Sequence, residues 1–182
     1  MATGPFLREM EDGFFLDDIS ENWFERVYSL EVASYPEEEA ATREKLTTRC
    51  TEAPEHFKCL KKLGDPSGTP SLAGFVVGTR SSSERLTHDS MAKHERQGTN
   101  LCIHSVVVDS KHRRAGLGVQ MLKLYIDAER LQRQETGVKK ISLIAKTHLV
   151  PFYQRAGFTV LGPSPVAHGV DPWIELFLDL QS

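Results

Sequence analysis

Apolar positions along this 182-residue chain change their spacing several times, and each change marks a predicted element. After Ser20, residues Trp23, Phe24, Val27, Tyr28 and Val32 recur at three- and four-residue intervals, the period of one face of a helix with a serine cap. Pro36 ends that helix, because proline disfavours helical geometry in the residue before it, here Tyr35. A second helix is predicted from Ala40 to Cys50. Phe14-Phe15-Leu16 reads as a short first strand. Phe57 to Leu63 and Leu72 to Thr79, the latter dominated by Phe75, Val76 and Val77, read as two strands joined by the turn Gly64-Asp65-Pro66-Ser67-Gly68.

The second half repeats the alternation of strand and helix. Arg80 to Asn100 is polar and predicts a surface excursion, with Thr87 capping a short helical turn that runs through His94. Leu101 to Val108 is the expected central strand. Gly116 to Gln134 follows as a helix with a stripe of Leu117, Met121, Leu124, Ile126, Ala128 and Leu131, and Ile141 to Ala145 returns as a strand. Strand, crossover helix and strand make a βαβ unit with parallel pairing. Val150 to Arg155 is a short helix ended by Gly157, and Phe158 to Leu161 and Trp173 to Leu180 are two last strands around a loop rich in proline and glycine. The order predicts an α/β fold, one domain over residues 1–182, with a mixed central sheet flanked by helices.

Composition narrows the partners. With 40% hydrophobic residues, 26% charged residues and a net charge of −3, the chain has the make-up of a globular protein with no basic field for nucleic acid. Small molecules are the expected partners. Cys50, Cys59 and Cys102 form no even set and no C-x-x-C pair, so they read as free thiols in a reducing compartment, and no metal site is expected. The acidic N-terminal stretch lacks the features of a signal peptide, and no apolar run reaches the length of a membrane span. A cytoplasmic protein, monomeric or weakly dimeric and without nucleic-acid or membrane partners, is the expectation.

The most informative motif is Arg113-Arg114-Ala115-Gly116-Leu117-Gly118, set between the β-branched run Val106-Val107-Val108 and the helix that follows. A strand that breaks into a glycine-spaced turn and then a helix turns backbone N–H groups toward one point at the helix's positive end, an arrangement suited to a diphosphate. A dinucleotide fingerprint needs a third glycine and a P-loop needs Gly-Lys-Ser/Thr. Val119 and Gln120 follow Gly118 instead, which excludes both.

Four segments in order, Glu84-Arg85-Leu86-Thr87 with Met91 and His94, His104 to Val108, Arg113 to Gly118, and Val150 to Phe158, resemble the arylalkylamine (serotonin-type) N-acetyltransferases of the GNAT superfamily. The similarity runs from about Trp23 to near the C-terminus. It implies acetyl-CoA as cosubstrate and direct transfer of the acetyl group in a ternary complex. It also implies that backbone groups of Val106 and Val108 pair with the pantetheine arm as an added strand would, with Val107 between them, and that amides and side chains from Arg113 to Gly118 hold the diphosphate. Tyr153 matches the family tyrosine that protonates the departing thiolate. Tyr35-Pro36 falls where the family has a lid over the amine.

Acetylation of an alkylamine requires removal of a proton, since the ammonium has a pKa of roughly 10. Strand alternation puts Cys102, His104, Val106 and Val108 on one face, and an imidazole titrates near neutral pH, so His104 is the expected general base, acting through ordered water. The vertebrate serotonin enzymes carry a second histidine at the position of Cys102. A thiol is a poor proton relay, so a single-base path is expected, with Cys102 a packing residue. The acceptor stays open between two amines. Tyr35 suits an aryl ring, whereas Glu37, Glu38 and Glu39 suit a polyamine or simply form an acidic first turn of the next helix. A non-catalytic sensor of acyl-CoA and a protein acetyltransferase are the other classes. Retention of His104 and Tyr153 argues against the sensor, and the Tyr35-Pro36 lid with the loop from Pro163 to Pro172 argues against an extended peptide.

Overall fold

Residues 8–64, 70–113, 116–166 and 171–181 are described by a computed structural model. Among the described residues eight strands and five α-helices follow in order: β1 (Arg8–Glu9), β2 (Phe14–Asp18), α1 (Phe24–Ser34), α2 (Arg43–Glu52), β3 (Phe57–Lys62), β4 (Ser71–Ser81), α3 (His88–Ala92), β5 (Asn100–Val108), α4 (Leu117–Thr136), β6 (Lys140–Lys146), α5 (Val150–Arg155), β7 (Thr159–Pro163) and β8 (Trp173–Asp179). The strand order is β1-β2-β3-β4-β5-β6-β8-β7. It is a mixed α/β sheet, as the sequence pattern predicts. Two compact units divide the chain, Met1–Val77 with Ser105–Tyr125, and Gly78–His104 with Ile126–Ser182.

In the first unit β1 to β4 form antiparallel neighbours, β2 pairing with β3 from Phe14↔Lys62 to Asp18↔Lys58 and β3 with β4 through Phe57↔Val77. The apolar stripe predicted for α1 packs on this core except at Val32, which is 51% exposed. Val27, Leu46, Phe57, Cys59, Phe75, Val77 and Val107 form one buried cluster with Trp23, Phe24 and Tyr28 packed at its margin. Across α1 and α2, Arg43 forks onto the Glu25 carboxylate and lies over the Tyr28 ring, 4.4 Å from its centroid.

Several helix ends differ from the sequence pattern. Ser20 precedes a 3-10 turn, Glu21–Trp23, and makes no capping bond, so α1 starts at Phe24. The stop at Pro36 holds, with Tyr35 in extended geometry. Helix α2 starts at Arg43, where the Thr42 hydroxyl accepts from the Lys45 N–H. Glu37, Glu38 and Glu39 therefore are not the acidic first turn of α2. They sit in a separate turn closed by the N–H groups of Glu39 and Ala40 on the Pro36 carbonyl.

In the second unit β6 runs parallel to β5 over Asn100↔Lys140 to Cys102↔Ser142 and antiparallel to β8 along its whole length. The crossover between β5 and β6 is α4, which completes the expected βαβ unit. Leu131, assigned above to the buried stripe of α4, is 57% exposed; Leu122 and Tyr125 are buried instead. The 80–100 segment lies mostly at the surface, as its polarity predicts, and is tied to the interior at a few points. Leu86 and Ser90 are buried, Thr87 and Ser90 form a reciprocal capping box, and the buried Glu175 carboxylate accepts from Arg85 and from the Leu86 N–H. The predicted turn at residues 64–68 lies outside the described residues except for Gly64.

Candidate functional site

Strand β5 positions the candidate chemistry by simple alternation. Ser105 and Val107 are buried, whereas His104, Val106 and Val108 are half-buried. His104 places Nε2 2.7 Å from the hydroxyl oxygen of Thr79, a buried residue near the end of β4. The hydroxyl can donate or accept, so it orients the ring in either tautomer. Thr79 was not singled out from sequence; its one signal is that it is polar at the end of an apolar strand.

The backbone of β5 shows which groups are available. The Val107 carbonyl faces Gly74 on β4, where an added Cβ would come within 2.4 Å of it, so glycine is needed for the two strands to approach. Backbone groups alternate in direction along a strand, so the N–H and C=O groups of Val106 and Val108 point away from β4. The ladder with β6 ends at Cys102. Val106 instead exchanges both of its bonds with one side chain. The Tyr35 hydroxyl accepts from the Val106 N–H at 3.2 Å and donates to the Val106 carbonyl at 3.4 Å. Arg113 Nε donates to the Val108 carbonyl at 2.9 Å, and its Nη2 donates to the Ser34 hydroxyl at 3.1 Å. The sequence-predicted residues Tyr35, Val106, Val108 and Arg113 are therefore brought together; Val107 turns its side chain into the core.

At the start of α4, Gly116 has φ +74°, a left-handed geometry that glycine adopts without strain, and an added Cβ there would meet open space. The first helical bond runs from the Gln120 N–H to the Gly116 carbonyl. The N–H groups of Leu117, Gly118 and Val119 thus have no acceptor within the helix, the arrangement by which a helix N-terminus meets an anion. Arg114 and Ala115, expected in the same cradle, lie outside the described residues. Pro36 is exposed, its carbonyl closing the turn after Tyr35.

Tyr153, on α5, is buried with its ring edge-on to both Phe152 and Phe158 at centroid distances of 4.9 and 6.0 Å. Burial raises its pKa, which keeps the phenol protonated and able to donate. Cys102 is buried too, and its thiol is pushed up to about 12 by loss of solvent. Such a thiol is not a nucleophile at neutral pH.

A further polar group was not anticipated. Glu31, on the apolar face of α1 one turn after Val27, is buried; its Oε1 accepts from the Ala41 N–H at 2.8 Å and from the Ser105 hydroxyl at 3.1 Å. Its Oε2 has no hydrogen-bond partner among the described residues. Burial raises the carboxyl's pKa despite those two bonds and the attraction of Arg49. An acidic residue at a core position of an amphipathic stripe is the signal that could have found it. Among the described residues no group of three or more His, Cys, Asp or Glu could hold a metal ion, and no helix is long and apolar enough to cross a membrane.

Comparison with known proteins bears on this arrangement. The acetyltransferase (GNAT) domain family profile matches residues 82–173, half of the chain. Serotonin N-acetyltransferase of Mesocricetus auratus is 32% identical over 110 residues, covering 60% of this chain and 52% of that protein; the Homo sapiens enzyme is 30% identical over the same length. The chain thus spans about half the length of the curated relatives it matches. Among solved structures, the loading GNATL domain of CurA from Lyngbya majuscula superposes with a TM-score of 0.76 at 16% identity, covering 92% of this chain and 98% of that one. The GphF GNAT-like decarboxylase in complex with isobutyryl-CoA gives 0.74 at 17% identity, with 91% and 98% covered. These two likenesses establish the fold.

Proposed function

From the premise that the chain belongs to the GNAT acetyltransferase family, we propose that it transfers an acetyl group from acetyl-CoA directly to the primary amine of a small molecule, an arylalkylamine. The observation that carries this reading is the composition of β5. A half-buried, hydrogen-bonded imidazole at His104 is followed, two and four residues on, by backbone groups at Val106 and Val108 that no strand among the described residues takes up. Their spacing suits an extended amide-bearing chain laid along the edge. Beyond them, the amides at the start of α4 suit a diphosphate.

The roles divide among residues of ordinary chemistry. Acetyl-CoA would supply the activated acetyl group. His104 accepts the proton that an alkylammonium must lose, with Thr79 holding the ring. Tyr153 donates a hydrogen bond to a sulfur that gains negative charge. Tyr35 and Pro36 border the acceptor, an aromatic surface for an aryl ring. The likeness to serotonin N-acetyltransferases at about 30% identity supports the aryl choice.

A polyamine acceptor is the second reading, favoured by one observation: Glu37 and Glu38 are exposed in the turn after Pro36 and are not used to start α2. A turnover panel separates the two. Free-thiol release from acetyl-CoA is followed with tryptamine, phenylethylamine, spermidine, putrescine and a lysine peptide. The proposal expects the aryl amines to give the highest kcat/KM. Preference for spermidine moves the assignment to polyamines, and inactivity with every amine while coenzyme binds tightly would replace the enzyme with a sensor.

A further inference from the structure

The ladder between β3 and β4 ends at Phe57↔Val77, yet β4 continues to Ser81. Beyond that point its backbone is held by the residues that close the 80–100 segment. The Arg80 N–H donates to Nδ1 of His94 at 3.2 Å, the Arg80 carbonyl accepts from the Glu95 N–H at 2.8 Å, and the Ser82 N–H donates to the Glu95 carboxylate, also at 2.8 Å. Two consecutive residues thus grip three consecutive peptide units. Their turn closes where the Gly98 N–H donates to the Glu95 carbonyl at 2.7 Å, and it lies hard against β4: an added Cβ at Gly98 would come within 2.6 Å of the Ser81 backbone. The buried Arg80 side chain adds an anchor of its own, donating from its guanidinium to the Thr136 carbonyl at the end of α4.

The residue before Arg80 is Thr79, whose hydroxyl lies 2.7 Å from Nε2 of His104. The N–H that His94 takes belongs to the peptide joining Thr79 to Arg80, so that bond fixes the plane on which the Thr79 side chain stands. Threonine is β-branched and has few side-chain rotamers, so its hydroxyl points where the backbone sends it. We propose that the turn from His94 to Gly98 is a positioning clamp for the general base, in which His94, through the Thr79–Arg80 peptide, sets the direction of the Thr79 hydroxyl and with it the His104 imidazole. The proposal rests on the reading of His104 as that base. His94 serves as a neutral imidazole, because Nδ1 must keep its lone pair to accept. Glu95 holds the next two peptide units, and its carboxyl is kept below the ordinary range by the hydroxyl and the N–H of Ser82, so it stays an acceptor at neutral pH.

The test is a double-mutant cycle between His94→Ala and Thr79→Val, read in kcat/KM for the amine and in the ring-nitrogen NMR signals of His104, with melting curves to verify folding. His94→Ala is expected to lower kcat/KM about threefold, within the worth of a net hydrogen bond, through kcat and not through the KM for acetyl-CoA. Added to Thr79→Val it is expected to cost nothing further, since the hydroxyl it directs is already gone. His94→Asn, whose amide oxygen can accept from the Arg80 N–H, should restore the wild-type rate. Glu95→Ala alters only an exposed side chain, so it carries the test should His94→Ala fail to fold, and it is expected to move the His104 signals the same way by less. Losses that multiply in the double variant, or His104 signals that move in Thr79→Val and stay put in both His94→Ala and Glu95→Ala, would overturn the clamp. A wild type that acetylates no amine would instead remove the base role of His104, and the ring signals would still decide whether His94 orients it.

Discussion

The Thr79 hydroxyl and the His104 imidazole meet at 2.7 Å on adjacent strands, and Thr79 is buried. A general base gains from being held in one orientation, because proton transfer requires hydrogen-bond geometry before it requires a suitable pKa. Thr79→Val keeps the shape and removes the hydroxyl. Its kcat/KM should fall about fivefold to tenfold, the range set by one hydrogen bond, with a displaced pH–rate profile, and Thr79→Ser should restore both. His104→Ala should lower kcat/KM by about a hundredfold or more and move the rate optimum to higher pH, where the free amine is more abundant. An unchanged pH–rate profile in His104→Ala removes it from the base role.

Tyr153 is expected to act on the departing thiolate and not on binding. Tyr153→Phe retains the ring between Phe152 and Phe158, so the fold should persist. The turnover number should fall about tenfold or more, while the Kd for coenzyme A stays within about twofold of the wild type. Equal losses in both quantities would make Tyr153 a binding residue.

Glu31 gives a pH signature in stability. Its folded pKa is raised, chiefly by burial, so the folded state holds this proton more tightly than the unfolded chain. The stability linked to it is full below the ordinary carboxyl value of about 4.3 and is lost as pH rises through the raised folded value. Glu31→Gln can keep the acceptor for Ala41 and Ser105 while removing the buried charge. The variant should therefore melt above the wild type at pH 8, with the gap closing as pH falls toward 4. A gap that widens on acidification contradicts the assignment.

Gly74 tests the packing of β4 on β5. A Cβ at 2.4 Å from the Val107 carbonyl cannot be relieved by a side-chain rotation, because the atom it meets is backbone. Gly74→Ala should cost about 2 kcal/mol or more, a common penalty for overpacking, and lower Tm by about 4 °C or more. Coenzyme affinity should suffer too, since Val106 and Val108 would move with the strand.

The period of apolar residues made the β5-α4-β6 unit and most strands legible, because each buries one regular face. The starts of α1 and α2 were not. Ser20 looked like a cap and Glu37 to Glu39 like a first turn, yet Thr42 supplies the capping oxygen for α2, a choice decided by where the chain leaves the Pro36 turn. For the candidate site, residues on a single strand or turn could be inferred, as with His104, Val106 and Gly116. Thr79 and Glu31 left only a local sign, a polar residue at an apolar position, because the contacts that give them significance are with residues 25 and 74 positions away. The pairing of Tyr35 with Val106 was equally hidden, being a contact across 71 positions.

The account depends above all on coenzyme A meeting the outer edge of β5 and the amides at the start of α4. Titration calorimetry of the full chain with coenzyme A measures that directly. One-to-one binding is predicted, weakened in Gly116→Val, where a β-branched residue would be forced to φ near +74°. No heat of association with the wild type, or binding unaffected by Gly116→Val and by Arg113→Ala alike, would contradict it.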